Sequence, residues 1–172
     1  NLYSPLWCRT ELLDKKLVLK DSDPFDYAKA ERLFPVAKKL TVEFAVTAQQ
    51  NNYGVIEIEM VDTKGIPCLR LMLDSTGTIL TKQGYRNKSL GKYNAGETIN
   101  FKIELNTATR FYTVSINGGK PNNNLCFAPV ASAVRRPDPS WKWRATSTFT
   151  NSMEGFSNTS RKSVRHTMTA SV

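Results

Sequence analysis

At 172 residues, 40% apolar and 23% charged, the chain has the size and composition of one soluble domain that needs no disulfide or metal staple to fold. The net charge of +9 divides into +4 over residues 1–133 and +5 over residues 134–172, so the basicity sits largely in the C-terminal segment; this weighs against a folded nucleic-acid-binding stripe. No apolar run approaches the roughly 20 residues of a membrane-spanning helix, so no membrane partner is expected.

The chain opens Asn1-Leu2-Tyr3, with neither Met nor a visible signal peptide, and reads as a piece of a longer chain or a processed product. Asp21, Asp23 and Asp26 then cluster around Pro24. Carboxylates of this kind suit calcium, which keeps calcium open as a cofactor; a capped turn around Pro24 explains them equally. Residues 25–34 could be forced into a helix, but their place between strand-like stretches predicts a strand over 28–34, stopped by Pro35.

From residue 40 the apolar period is two. Leu40, Val42, Phe44 and Val46 share a face, with Thr41 and Glu43 on the other. Ile56, Ile58 and Met60 alternate with Glu57 and Glu59, and Leu69, Leu71 and Leu73 with Arg70 and Met72. Ile99, Phe101, Ile103 and Leu105 alternate with Asn100, Lys102 and Glu104, and Tyr112, Val114 and Ile116 with Thr113 and Ser115. Such residues fall on one side of a strand and would scatter around a helix. Turn signals separate the runs at 62–65, 74–77, 106–109 and 117–119. Short strands with close turns imply an all-β, antiparallel two-sheet sandwich over residues 1–133. Residues 134–172 form a basic, Ser/Thr-rich tail with Pro137 and Pro139, expected to be loosely ordered or irregular; Trp141 and Trp143 argue against complete disorder.

The three cysteines, Cys8, Cys68 and Cys126, allow at most one disulfide, and no C-x-x-C spacing supports a zinc knuckle. They read as free thiols.

Several segments carry a family resemblance. They are Tyr3-Ser4-Pro5-Leu6-Trp7, residues 17–27 (LVLKDSDPFDY), Ala30-Glu31-Arg32-Leu33-Phe34-Pro35, residues 69–74 with the Gly77 turn, and Phe127-Ala128-Pro129-Val130. Together they resemble the concanavalin A-like, laminin-G-like jelly-roll domain appended to BNR-repeat, sialidase-like β-propellers of polysaccharide-processing bacterial proteins. The resemblance implies a jelly roll in a secreted or cell-surface protein, extracellular or periplasmic. The partners it implies are a poly- or oligosaccharide and an adjacent catalytic domain of the same polypeptide. It supplies no set of binding residues. The sequence departs from the pattern after Val130, where a closing strand is due. Closure then uses the N-terminal segment, or the tail is foreign to the domain.

The chemistry-bearing residues are few. His166 is the sole histidine and lies in the tail, so histidine-based acid–base chemistry on the sandwich lacks its usual residue. Glu57 and Glu59 point to the same strand face with Cα atoms about 6.5–7 Å apart, near the separation of glycosidase carboxylates. A solvated sheet face explains the same alternation. Arg9-Thr10-Glu11-Leu12 is similar to a stretch of jelly-roll alginate lyases, but the accompanying Gln-x-His strand is missing and the match reads as chance. For glycan contact the candidates are Tyr53, Arg70, Tyr85, Arg86 and Tyr93, with the run Asn122-Asn123-Asn124; packing over the sheet edge is the other reading of Tyr85 and Tyr93. The expectation is a non-catalytic accessory module that binds glycan or packs against a catalytic propeller. A jelly-roll glycoside hydrolase or polysaccharide lyase is the alternative, and a scaffold without sugar affinity a third reading.

Overall fold

A computed structural model describes residues 1–13, 16–22, 27–34, 39–61, 66–127, 141–148 and 164–171, with side chains described except at 32–34, 141–148 and 164–171. The strands are β1 (Leu2–Tyr3), β2 (Cys8–Leu13), β3 (Lys16–Asp21), β4 (Tyr27–Phe34), β5 (Lys39–Ala48), β6 (Val55–Val61) and β7 (Pro67–Leu73). There follow β8 (Thr78–Gln83), β9 (Arg86–Lys92), β10 (Thr98–Asn106), β11 (Phe111–Ile116), β12 (Asn122–Cys126), β13 (Trp141–Thr148) and β14 (Val164–Ser171). They form two seven-stranded sheets, a front sheet ordered β1-β4-β13-β6-β7-β8-β9 and a back sheet ordered β12-β11-β10-β5-β14-β3-β2. Every pairing is antiparallel, and the whole is an all-β jelly-roll sandwich. Among the described residues no helix is long and apolar enough to cross a membrane.

The alternation read from the sequence sets the core. Val42, Phe44 and Val46 of β5 face Ile103, Phe101 and Ile99 of β10 in register, and all are buried. Phe44 and Phe101 stack with ring centroids 5.3 Å apart. From the front sheet Ile58, Leu71 and Leu73 pack against them with no exposed surface. Burying side chains of this size contributes roughly 1.5–3 kcal/mol each. A buried polar link crosses between the sheets: the Tyr112 hydroxyl of β11 donates to the Lys82 carbonyl of β8 and lies 2.9 Å from the Thr81 hydroxyl.

Turn chemistry holds the ends. The Asp74 carboxylate accepts from the backbone N–H of Thr76 and Thr78, both at 2.9 Å, and Gly77 takes φ +70 to close the turn. Asn106 accepts from the N–H of Ala108 and Thr109 before β11 begins. The expected turn at 62–65 lies outside the described residues. Cys8, Cys68 and Cys126 form no disulfide.

The irregular tail expected beyond residue 133 is corrected for two stretches. β13 lies between β4 and β6, pairing Trp141–Thr148 with Phe34–Tyr27 and Lys142–Thr148 with Val61–Val55. β14 lies between β3 and β5. These two strands join the N-terminal strands to the rest of each sheet, so the C-terminal segment supplies the closure that the sequence left open. The sole histidine, His166, therefore sits within β14, in register with Leu19 and Ala48, and not in a free tail. The strand expected over 28–34 is β4.

Candidate functional site

The outer face of the front sheet collects charge. Each strand alternates, so Glu57 and Glu59 of β6, Arg70 and Met72 of β7, and Lys29 and Glu31 of β4 leave the core on the same side. The register aligns Glu59 with Arg70, and it places Arg144 of β13 opposite Glu59 on one flank and Glu31 on the other. The backbone thus sets acidic and basic residues in alternation along one line across four strands.

Arg70 is the centre. Its Nε lies 2.6 Å from Glu59 Oε1 and 3.1 Å from Glu57 Oε1, and its Nη2 lies 2.5 Å from Glu59 Oε1. Glu59 is only 3% exposed, an unusual depth for a carboxylate on an outer face. Charge-assisted bonds of this length are strong and hold the planar groups in fixed orientation. Toward the β1 edge, Lys29 and Glu31 pair at 2.8 Å. The exposed rings of Tyr3 and Tyr27 stand beside them, centroids 6.0 Å apart and tilted at 54°. These four residues, with Asn1 and Leu2, line a depression of about 320 Å³.

The arrangement offers a line of fixed donors and acceptors ending in two aromatic rings. One guanidinium engages both Glu57 and Glu59, so the pair forms an ion cluster.

The other sequence candidates are spread apart. Tyr85 is 81% exposed at the tip of the β8–β9 hairpin, with Arg86 beside it and also exposed. Tyr53 is half-buried in the β5–β6 loop, where its carbonyl accepts from Gln50 Nε2. Tyr93 is corrected as a contact residue. It is 5% exposed, its hydroxyl donates to the Asp74 carbonyl at 2.7 Å and its N–H to the Gly77 carbonyl at 2.9 Å. Burial, with the Asp74 charge, pushes its phenol up to about 12. It braces the Asp74–Gly77 turn at the opposite end of β8 from Tyr85. The front sheet therefore brings Arg70, Glu57 and Glu59 together and leaves Tyr53, Tyr85, Arg86 and Tyr93 elsewhere.

Of the calcium candidates, Asp21 is fully buried and its Oδ1 accepts from the Cys8 thiol at 3.1 Å, while Asp23 and Asp26 lie outside the described residues. Among the described residues no group of three or more His, Cys, Asp and Glu is placed to hold a metal ion. The lyase-like Arg9-Thr10-Glu11-Leu12 stretch falls on β2, the edge of the back sheet, where Arg9 and Glu11 pair with each other at 2.7 Å.

Sequence reasoning missed Tyr3, Tyr27, Lys29 and Glu31 as neighbours. The Lys29, Glu31 alternation is readable in a strand over 28–34. The pairing of β4 with β1 and β13 is not.

The fold recurs in solved structures. A sialidase is 29% identical with a TM-score of 0.81, over 98% of this chain and 16% of its own. The chain thus spans about a sixth of that protein. An endo-β-1,4-glucuronan lyase from the fungus Trichoderma reesei is 10% identical with a TM-score of 0.65, over 99% of this chain and 88% of its own. A family 7 alginate lyase is 14% identical with a TM-score of 0.58, over 98% and 84%. At such identities the two lyases speak to the jelly-roll fold alone. No curated protein sequence matches the chain. The model of the family described as sialidase-like, CBM domain matches residues 1–136, four fifths of the length, and the chain belongs to that family of carbohydrate-binding modules.

Proposed function

We propose that the chain is a non-catalytic accessory module of a secreted carbohydrate-active protein, and that it binds glycan on the outer face of the front sheet. The observation that carries this is the Glu57–Arg70–Glu59 cluster, continued by Lys29 and Glu31 to the exposed rings of Tyr3 and Tyr27. Carboxylate oxygens keep acceptor sites beyond those that Arg70 uses, and sugar hydroxyls can both donate to them and accept from guanidinium N–H groups. Because the cluster is already ordered, little side-chain entropy is lost on binding. The tyrosine rings give the apolar C–H face of a sugar something to cover.

Packing against a catalytic domain has separate support. Leu6, Trp7, Leu12 and Leu13 are exposed in the N-terminal segment and along the edge strand β2. An apolar edge of this kind suits a neighbouring domain of the same polypeptide.

The test is a glycan array of neutral and acidic polysaccharides probed with the 172-residue chain, followed by titration calorimetry of the tightest hit with and without calcium. Tyr27→Ala and Glu57→Gln are each expected to weaken binding about tenfold or more, about 1.4 kcal/mol, with melting unchanged. Absence of binding across the array, or binding indifferent to both substitutions, would overturn the reading. Cleavage of any arrayed glycan by the chain would favour the lyase or hydrolase alternative.

A further inference from the structure

The back sheet carries a second opening that the cluster above does not explain. A groove of about 540 Å³ lies across β5, β10, β11 and β12 on the side away from the core. Phe111 stands in it, 48% exposed, on a face otherwise made of Thr, Glu, Lys and Asn. The alternation of β11 sends Tyr112 and Val114 into the core and so obliges Phe111 to face out.

The other side of the groove is shaped by a register shift. Tyr112 pairs with Leu125 but Val114 pairs with Asn122, so two residues, Asn123 and Asn124, stand opposite the single Thr113. This is a β-bulge, a device that re-aims side chains and bends a strand. Asn124 takes φ +59, a left-handed conformation that few non-glycine residues adopt, and its carbonyl is held by Gln83 Nε2 of the front sheet at 3.5 Å. Asn123 and Asn124 are both exposed. Across the groove the Thr113 hydroxyl donates to Glu104 Oε2 at 3.4 Å, and Lys39 lines the far wall. The charges of Lys39 and Glu104 oppose one another, so the groove carries no excess of either sign.

We infer that this groove is a second carbohydrate subsite, one that takes an uncharged pyranose unit with a C–H face stacked on Phe111. The inference rests on the reading of the chain as a glycan-binding module. The ring supplies a rigid apolar platform, while the amides of Asn123 and Asn124 each offer a donor and an acceptor to hydroxyls at the sugar's rim. Glu104 and Lys39 add an acceptor and a donor without selecting for a charged sugar. The two packed sheets are themselves about 10 Å apart, so the two outer faces point away from each other and a single sugar cannot touch both. The module then holds two glycan strands at once.

The experiment is an amide-resolved NMR titration of the isotope-labelled 172-residue chain with cellotetraose, mannotetraose and lactose, repeated on Phe111→Ala, Phe111→Leu and Tyr27→Ala. At least one of the three sugars is expected to shift the Thr113, Asn123 and Asn124 amides of the native chain. Phe111→Ala and Phe111→Leu should each weaken that response about tenfold. The leucine variant keeps apolar bulk at the exposed position, so a loss there reports the ring and not the fold. Tyr27→Ala should leave the groove response intact. No shift in the groove with any sugar, or a response that survives both Phe111 substitutions, would overturn the inference. Shifts confined to Tyr3, Tyr27, Lys29 and Glu31 would leave the front-face proposal standing without this one, and shifts confined to the groove would do the reverse.

Discussion

The two outer faces of the sandwich are written in the same code and end in different environments. On the back sheet Glu43 of β5 and Lys102 and Glu104 of β10 alternate with core residues, as Glu57, Glu59 and Arg70 do on the front sheet. Lys102 reaches Glu104 at 3.1 Å and Glu43 at 4.0 Å, yet the three side chains remain 47–61% exposed. Around Arg70 the contacts are shorter and Glu59 is nearly withdrawn from solvent. Period two decides which side of a sheet a residue leaves by; how deeply that side is covered depends on strands far away in sequence. β6 lies inside the front sheet between β13 and β7, so Glu59 has basic residues in register on both flanks, Arg144 and Arg70. The difference predicts that equivalent deletions on the two faces have unequal consequences.

The largest effect is expected at Arg70. Arg70→Ala removes a close ion-pair partner from a nearly buried carboxylate, and breaking a fully buried pair costs roughly 3–5 kcal/mol. Arg70 is itself one-third exposed, so the expected loss is about 2–3 kcal/mol, a fall of roughly 5–10 °C in Tm. The double variant Glu59→Gln/Arg70→Met should recover most of it, since the penalty lies in keeping a buried charge with a weakened set of partners and not in the loss of the pair itself. Urea melts of the single and double variants check this. A single variant as stable as the native chain would place the two faces in one class.

Between the faces lies Tyr112, the polar bridge through the core. Tyr112→Phe removes the hydroxyl shared with Thr81 and the Lys82 carbonyl, at an expected cost of about 1 kcal/mol. Burial pushes its phenol up to about 12, as it does that of Tyr93. A phenol raised in the folded state binds its proton more tightly there than in the unfolded chain. Its stabilising contribution is therefore complete below pH 10 and is lost as the pH rises through about 12. Absorbance titration of the native chain should show a late tyrosinate step near 12, reduced in Tyr112→Phe and in Tyr93→Phe. A single step near 10 would contradict the buried bridge.

Much of this is legible in the amino-acid sequence, and the parts that are not share a cause. β5, β6, β7, β10 and β11 announce themselves because each buries one full apolar face, and the opposite charges of Glu59 and Arg70 follow from the alternation. β13 and β14 do not, because they carry small and polar residues at many of the positions where those strands carry Ile, Leu, Val and Phe. Sequences such as Arg144-Ala145-Thr146-Ser147 and Thr167-Met168-Thr169-Ala170 nonetheless pair with a strand on either side. Tyr93 failed for a related reason. It stands among Lys92, Asn94 and Gly96 like a loop residue, and only the long-range bonds to Asp74 and Gly77 draw it into the core. Tyr85, with no such bond holding it, stays at the hairpin tip.

The smallest effect is expected at Lys102, and it is the more telling for being small. Its ammonium is raised above the usual lysine range first by its hydrogen bond to Glu104, then by the charges of Glu104 and Glu43. A raised lysine stabilises the fold fully below its unfolded value near 10.5 and loses that effect as the pH climbs through the folded value. Yet the side chain stands in solvent, and an exposed pair exchanges water for a partner at almost no net gain. Lys102→Ala should therefore melt with the native chain at physiological salt, the Debye length there being about 8 Å, and differ detectably only near 0.01 M. The loss in Arg70→Ala should persist at both salt concentrations, because Glu59 is nearly withdrawn from solvent and ions that do not reach it cannot screen the change. If salt erased both effects equally, the front cluster would be a surface ornament like the back one, and its claim to present fixed groups to a glycan would lose its physical basis.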